Sequence, residues 1–222
     1  GIAQRFPGRK LSFGFSKGCD IRISEFAAED LENTAFSLTV APWSRTITLR
    51  LKATGKPGAM NLAAAVAAAL PYGLAPEILA DAAPRLSAPD KRGKIFETRG
   101  ITVWDDSYNS NPMALAALLE SVRGLRNFRR LVLVLGDMLE LGERSPEFHE
   151  ECGRRAAESG AGALFTVGKE ALMISRGAYA GGLPADNIFS FASSAEAAEP
   201  VRNLVCEGDL VVVKGSRAVR ME

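Results

Sequence analysis

The sequence predicts an α/β protein: a Rossmann-like, mostly parallel sheet with helices on both faces, preceded by a region of short antiparallel strands and helices. Three observations carry this expectation. From Gly100 onward, short apolar runs alternate with helix-forming stretches, the order that produces a parallel sheet covered on both sides. Arg130 to Leu135 reads Arg-Leu-Val-Leu-Val-Leu, a continuous apolar run suited to a strand covered on both faces. Before Gly100 the pattern differs: Ala35 to Val40 and Arg45 to Lys52 alternate apolar and polar residues, as half-buried strands do.

Taken in order, Arg9 to Phe15 and Asp20 to Ser24 read as short strands around the turn Ser16-Lys17-Gly18. Ala41-Pro42-Trp43-Ser44 joins the two alternating strands into a hairpin. Gly55-Lys56-Pro57-Gly58 reads as a loop, and Asn61 to Leu70, rich in alanine, as a helix stopped by Pro71 and Gly73. A helix from Pro76 to Ala83 follows, with proline in its first turn. Ser87 to Gly93 then makes a polar linker. Beyond it, strands are expected at Ile101 to Trp104, Arg130 to Leu135, Ala163 to Val167, Asn187 to Phe191 and Asp209 to Val213. Helices are expected at Pro112 to Val122, Ser145 to Ser159, Lys169 to Tyr179 and Ser194 to Val205, with Ser145 capping the second.

Composition narrows the function classes. A net charge of +1 gives no support to nucleic-acid binding. No apolar run reaches the ~20 residues that span a bilayer. The cysteines, Cys19, Cys152 and Cys206, form no CxxC pair, and His149 is the only histidine, which excludes a multi-histidine metal site. His149 reads as a satisfied structural residue. There is no GxxxxGK[ST] and no GxGxxG after a strand, so these residues do not grip phosphates in the usual way.

Chemistry is expected at the carboxyl ends of the parallel strands. The first such loop, Trp104 to Pro112, holds two carboxylates, a phenol and amides, and suits a ribose, a cation or an amino group. Alternatively, Asp106 or Asn109 caps the helix that follows. The second loop places Asp137 directly after a buried strand, as a ligand-facing carboxylate or as a turn residue. The third, Lys214-Gly215-Ser216-Arg217, suits a carboxylate or phosphate; the alternative is a solvated basic end.

Together these loops resemble the Mur ligases, ATP-dependent amide ligases of peptidoglycan precursor synthesis. Asp105-Asp106-Ser107-Tyr108-Asn109-Ser110-Asn111-Pro112 is similar to the DDSYNANP signature of the D-alanyl-D-alanine-adding branch. Leu135 to Gly142 resembles its LGDMLELG signature, with His149 and Gly153 at the usual distance beyond. Lys214 to Arg217 resembles its KGSR signature. The resemblance covers nearly the whole chain: residues 98–222 resemble the family's carboxy-terminal Rossmann-like domain, and residues 1–97 the second half of its central ATPase domain. The family's phosphate loop, magnesium ligands and UDP-binding domain have no counterpart here. The chain is therefore expected to be a piece of a longer enzyme, inactive by itself.

The resemblance implies a ligase that uses ATP and Mg2+ to join D-alanyl-D-alanine to UDP-N-acetylmuramoyl-tripeptide through an acyl phosphate, working in the cytoplasm as a monomer. It implies ATP-binding roles for Asn61, Arg92, Lys94, Asp106 and Tyr108. Asp106 matches the ribose-binding position, Asn61 an asparagine that contacts adenine in a GxHNxxNxLAA motif, and Arg92 or Lys94 a linker cation that reaches the phosphates. It implies substrate-binding roles for Asn109, Asn111, Asp137, Lys214, Ser216 and Arg217. No catalytic residue and no metal ligand of the family is carried over. Pro57 and Gly58 stand where that motif has its histidine and first asparagine, so side-chain hydrogen bonds to the base are lost there. The alternatives are a sibling ligase, a non-catalytic nucleotide- or peptide-binding module derived from a Mur ligase, and a plain dinucleotide-binding domain, which the missing glycine fingerprint disfavours.

Overall fold

A computed structural model describes residues 5, 7–53, 55–87, 89–123, 125 and 127–222; Ala88 of the expected linker lies outside the described residues. The chain divides into two compact units, Gly1–Ala88 and Pro89–Glu222. In the first, β1 (Phe13–Gly14), β2 (Ile21–Ala28), β3 (Thr34–Val40) and β4 (Arg45–Leu51) form a four-stranded sheet in that order. The β3–β4 hairpin is as expected, antiparallel from Thr34↔Leu51 to Val40↔Arg45. Helices α1 (Gly55–Ala69) and α2 (Pro76–Ala82) follow. Ile21, Ile23, Phe36, Leu38 and Leu49 meet Ala59, Leu62, Ala63 and Val66 of α1 in one core.

Two expectations change in this unit. Of Arg9 to Phe15 only Phe13–Gly14 is strand, and it pairs parallel with β2. The Asp20 carboxylate takes both the N–H and the hydroxyl of Ser12, at 2.7 and 2.6 Å, and bends the connection into a closed turn. Gly55 to Gly58 is not a loop but the first turn of α1. Pro57 is tolerated there because a first-turn N–H has no helical partner anyway, and the Gly55 N–H is met by Thr34 Oγ1 at 3.1 Å.

The second unit is built on β5 (Lys94–Thr98), β6 (Ile101–Asp106), β7 (Arg130–Gly136), β8 (Ala161–Val167), β9 (Ile188–Phe191) and β10 (Asp209–Lys214). Their order is β5-β6-β10-β7-β8-β9, and every pairing except β5–β6 is parallel. Helices α3 (Pro112–Val122), α4 (Ser145–Glu158), α5 (Leu172–Ala180) and α6 (Ser194–Leu204) connect the strands. One sheet face buries Val132, Val134, Phe165 and Val211 with Ala197 of α6. The alternate residues Leu131, Leu133, Leu135, Leu164 and Leu210 are equally buried on the other face. Helices α4 and α5 cross at glycines: a Cβ at Gly153 would run into the Ile174 carbonyl, and one at Gly177 into that of Glu150.

Strand β5 was not foreseen. It turns into β6 through Arg99 and Gly100, both at positive φ (50° and 72°), the signature of a type I′ hairpin. The contact boundary therefore falls at Ala88/Pro89 instead of 97/98, because β5 is hydrogen-bonded into the second sheet. Helix α5 begins at Leu172 instead of Lys169. Ser145 does not cap α4: it is already helical, and a short 3-10 turn, Gly142–Arg144, leads into the helix.

Candidate functional site

Strand order sets the carboxyl ends of β6, β10 and β7 side by side, the edge where open parallel sheets present ligand-binding loops. The β6 strand runs two residues further than expected, so Asp105 and Asp106 are its last residues and not part of the loop. Register places Asp106 opposite Lys214. The Lys214 Nζ donates to Asp106 Oδ2 at 2.5 Å and to the Asn109 carbonyl at 2.9 Å. Lys214 is almost fully buried, with 3% of its side chain exposed against 24% for Asp106. Burial pushes the Asp106 carboxyl above its usual range, against the opposing pull of the Lys214 ammonium. Its Oδ1 carries no hydrogen bond among the described residues.

The loop after β6 is held by its own short polar side chains. Asp105 Oδ1 accepts the Ser107 N–H at 3.0 Å and Asn109 Oδ1 the Ser110 N–H at 2.8 Å. The cap of α3 is Asn111, whose Oδ1 accepts the Ala114 N–H at 2.9 Å, and not Asp106 or Asn109. With one lone pair of Oδ1 used in the cap, Asn111 still has its amide N–H groups and a second lone pair to offer a ligand. Among the described residues, the buried hydroxyls of Ser107 and Ser110 find no partner.

Tyr108, exposed on this loop, carries two guanidinium groups. Arg92 stacks on its ring at 3.9 Å from the centroid, and Arg217 lies at 5.9 Å. The Tyr108 N–H donates to the Lys91 carbonyl at 2.9 Å, so the segment before β5 is tied to this loop. Glu222 accepts from Lys91 at 2.6 Å and from Arg217 at 2.7 Å, and these bonds hold its carboxyl down to about 2. Arg92 makes no ion pair among the described residues, whereas Lys94 is bonded to Asp90 at 2.7 Å. Sequence reading missed Lys91 and Glu222; adjacency to Arg92 was the only signal for Lys91, and nothing in the pattern marked Glu222.

At the end of β7 the geometry is different. Asp137 Oδ1 accepts the Ala171 N–H at 2.6 Å, just ahead of α5, and its carboxylate fills the space a Cβ at Gly168 would take. That carboxylate thus faces the β8–α5 turn, while the Asp137 carbonyl accepts the Ser216 N–H at 2.9 Å. Ser216 is buried, and its Oγ accepts the Leu139 N–H at 2.9 Å. His149 is fully buried and satisfied, as expected: Nε2 accepts from the Met138 N–H at 2.9 Å, and Nδ1 lies 2.8 Å from the Ser145 carbonyl. Arg92, Asp106, Tyr108, Asn109, Lys214 and Arg217 are therefore brought together, with Ser216 beside them, and the Asp137 carboxylate is drawn off to one side. Asn61 lies exposed on α1 in the first unit.

Residues 91–217 match the family profile described as Mur ligase, glutamate ligase domain. The UDP-N-acetylmuramoyl-tripeptide--D-alanyl-D-alanine ligase of Bacillus subtilis is 30% identical over 200 residues, covering 90% of this chain and 40% of that protein. Among solved structures, the MurF ligase of Thermotoga maritima in complex with ADP superposes with a TM-score of 0.77 at 26% identity, over 95% of this chain and 46% of the other. A MurF structure from Acinetobacter baumannii gives a TM-score of 0.80 at 26% identity, over 95% and 44% of the two chains. The chain spans about two fifths of the length of the curated relatives it matches.

Proposed function

The chain belongs to the Mur ligase family, and from that premise we propose that it is part of an ATP-dependent ligase that joins D-alanyl-D-alanine to UDP-N-acetylmuramoyl-tripeptide. One observation carries the reading: Arg92, which makes no ion pair among the described residues and is stacked on Tyr108, stands next to the pair of buried Lys214 and partly buried Asp106. A guanidinium fixed by stacking keeps its N–H edges free for phosphate oxygens, which supports Arg92 over Lys94 as the phosphate-reaching cation. The free Oδ1 of Asp106 suits the ribose hydroxyls, and Tyr108 gives the Arg92 plane its support. Lys214 holds the Asp106 loop, and Arg217 and the Ser216 hydroxyl offer donors to the dipeptide carboxylate. Asn109 and Asn111 stand by the incoming amine. Asp137 acts by fixing the loop that meets Ser216; within the first unit, taken by itself, Asn61 is proposed as an adenine-contacting residue on the strength of the resemblance.

When bound, ATP supplies the phosphoryl group that activates the acceptor carboxylate. Mg2+ is proposed to accompany ATP, with its ligands, as the resemblance implies, in the phosphate-loop part of the enzyme. The chain alone is proposed not to ligate, since it has no phosphate loop. We assign the enzyme to the cytoplasm as a monomer, as the resemblance implies. Among the described residues no helix is long and apolar enough to cross a membrane. The test is a ligation assay on the complete product of the reading frame, with ATP, UDP-N-acetylmuramoyl-tripeptide and either D-alanyl-D-alanine or L-alanine, read by mass spectrometry. The proposal expects product with the dipeptide. Product with L-alanine alone, or none with either amine, rejects it.

A further inference from the structure

Beyond Gly136 the chain leaves the β7 ladder; Asp137 is half-buried, Met138 is 0% exposed and Leu139 is 42% exposed. Three successive N–H groups there need acceptors, and each finds one in a different element. Asp137 N–H goes to the Val167 carbonyl at 3.0 Å, Met138 N–H to His149 Nε2 at 2.9 Å, and Leu139 N–H to Ser216 Oγ at 2.9 Å. A buried N–H left without an acceptor costs about 1–3 kcal/mol, and no water reaches Met138 to replace one. The middle acceptor is a side chain on α4. Accepting that N–H requires Nε2 to be unprotonated, so the ring proton sits on Nδ1 and donates to the Ser145 carbonyl at 2.8 Å. The ring orientation is thereby fixed at both nitrogens. Ser145 Oγ, 3.3 Å from Nδ1, also donates to Glu170 Oε2 at 3.1 Å. One turn on, Gly153 lets α5 press against the same helix.

We propose that His149 is a positioning residue for the 137–141 loop, and through it for the Ser216 hydroxyl. Because Ser216 Oγ is occupied as an acceptor by Leu139, its own hydrogen remains for an acceptor oxygen beside Lys214 and Arg217. Under the reading above, on which this ligand part rests, that oxygen belongs to the dipeptide carboxylate. Without the Met138 anchor, Leu139 shifts and Ser216 turns.

The test compares His149→Gln with His149→Asn in the 222-residue chain. Glutamine can set its amide oxygen where Nε2 stands; asparagine reaches only the Nδ1 position. Amide hydrogen exchange by NMR should show Met138 and Leu139 losing at least about tenfold in protection in the asparagine variant and keeping it in the glutamine variant. Calorimetric binding of D-alanyl-D-alanine should weaken by about tenfold with asparagine and recover with glutamine, with ADP binding unchanged in both. Equal protection of Met138 in all three proteins, or equal loss in both variants, overturns the proposal. If the unsubstituted chain binds no D-alanyl-D-alanine, the dipeptide assignment and the ligand part fall, and exchange alone decides the loop part.

Discussion

Replacing Lys214 by methionine removes the cation beneath Asp106 and keeps most of the side-chain volume. In the intact chain Nζ lies 2.5 Å from Asp106 Oδ2 and 2.9 Å from the Asn109 carbonyl, with 3% of the lysine and 24% of the aspartate side chain exposed. Removing one partner of a buried ion pair costs about 3–5 kcal/mol; since water reaches part of Asp106, the lower end, about 3 kcal/mol, is expected. The pH dependence is the sharper part. Burial already raises the Asp106 carboxyl above 3.8 in spite of Lys214, and without the cation only the raising influences gain. A carboxyl raised on folding binds its proton more readily in the folded chain. Its unfavourable contribution is present above the folded value and is relieved as pH falls through that value towards 3.8. The loss in Lys214→Met should therefore be largest at neutral pH and shrink on acidification into the carboxylate range. Urea unfolding followed by Trp104 fluorescence, in a Trp43→Phe background, measures it at neutral and at mildly acid pH. A loss below about 1 kcal/mol, or one that does not change with pH, would refute the reasoning.

Asp209, 0% exposed, meets Arg130 at 2.6 Å. Burial opposes its ionisation, but the Arg130 and Cys206 hydrogen bonds hold the carboxyl below its usual range. Its stabilisation is thus present above 3.8 and lost as pH falls through the lowered folded value. Asp209→Ala should cost about 3 kcal/mol at neutral pH in urea unfolding. Gly177→Ala puts a methyl against the Glu150 carbonyl and should destabilise the second unit by about 3 kcal/mol, read as a lowered melting temperature. Burial pushes the Cys152 thiol up to about 11, so iodoacetamide under native conditions should label Cys19 and Cys206 well before Cys152; peptide mapping checks this.

Much of the second unit was legible because its strands are continuous apolar runs, which only a doubly covered sheet accommodates. Strand β5 was hidden for the opposite reason. Lys94, Phe96, Glu97 and Thr98 are exposed on an edge, so no apolar pattern marks it, and its turn uses Arg-Gly where Asn-Gly is the strong signal. The Gly55–Gly58 turn misled because glycine and proline read as breakers, although both fit a first helical turn. At the site, the motif loops gave the positions but not the directions of side chains. Nothing in the sequence says that Asp137 turns to Ala171 or that Asn111 takes the cap. Those depend on which backbone N–H groups a loop leaves unpaired, a tertiary property. His149 was expected to be structural, and its bond to Met138 says what it holds.

The central claim is that the carboxyl ends of β6 and β10 form a nucleotide-facing site. A titration of the 15N-labelled chain with ADP, followed by two-dimensional NMR, addresses it directly. Amide shifts should concentrate at Arg92, Asp106 to Asn111 and Arg217. Shifts gathered instead around Arg130, Cys206 and Asp209 at the other end of the strands, or no shifts at millimolar ADP, would contradict it.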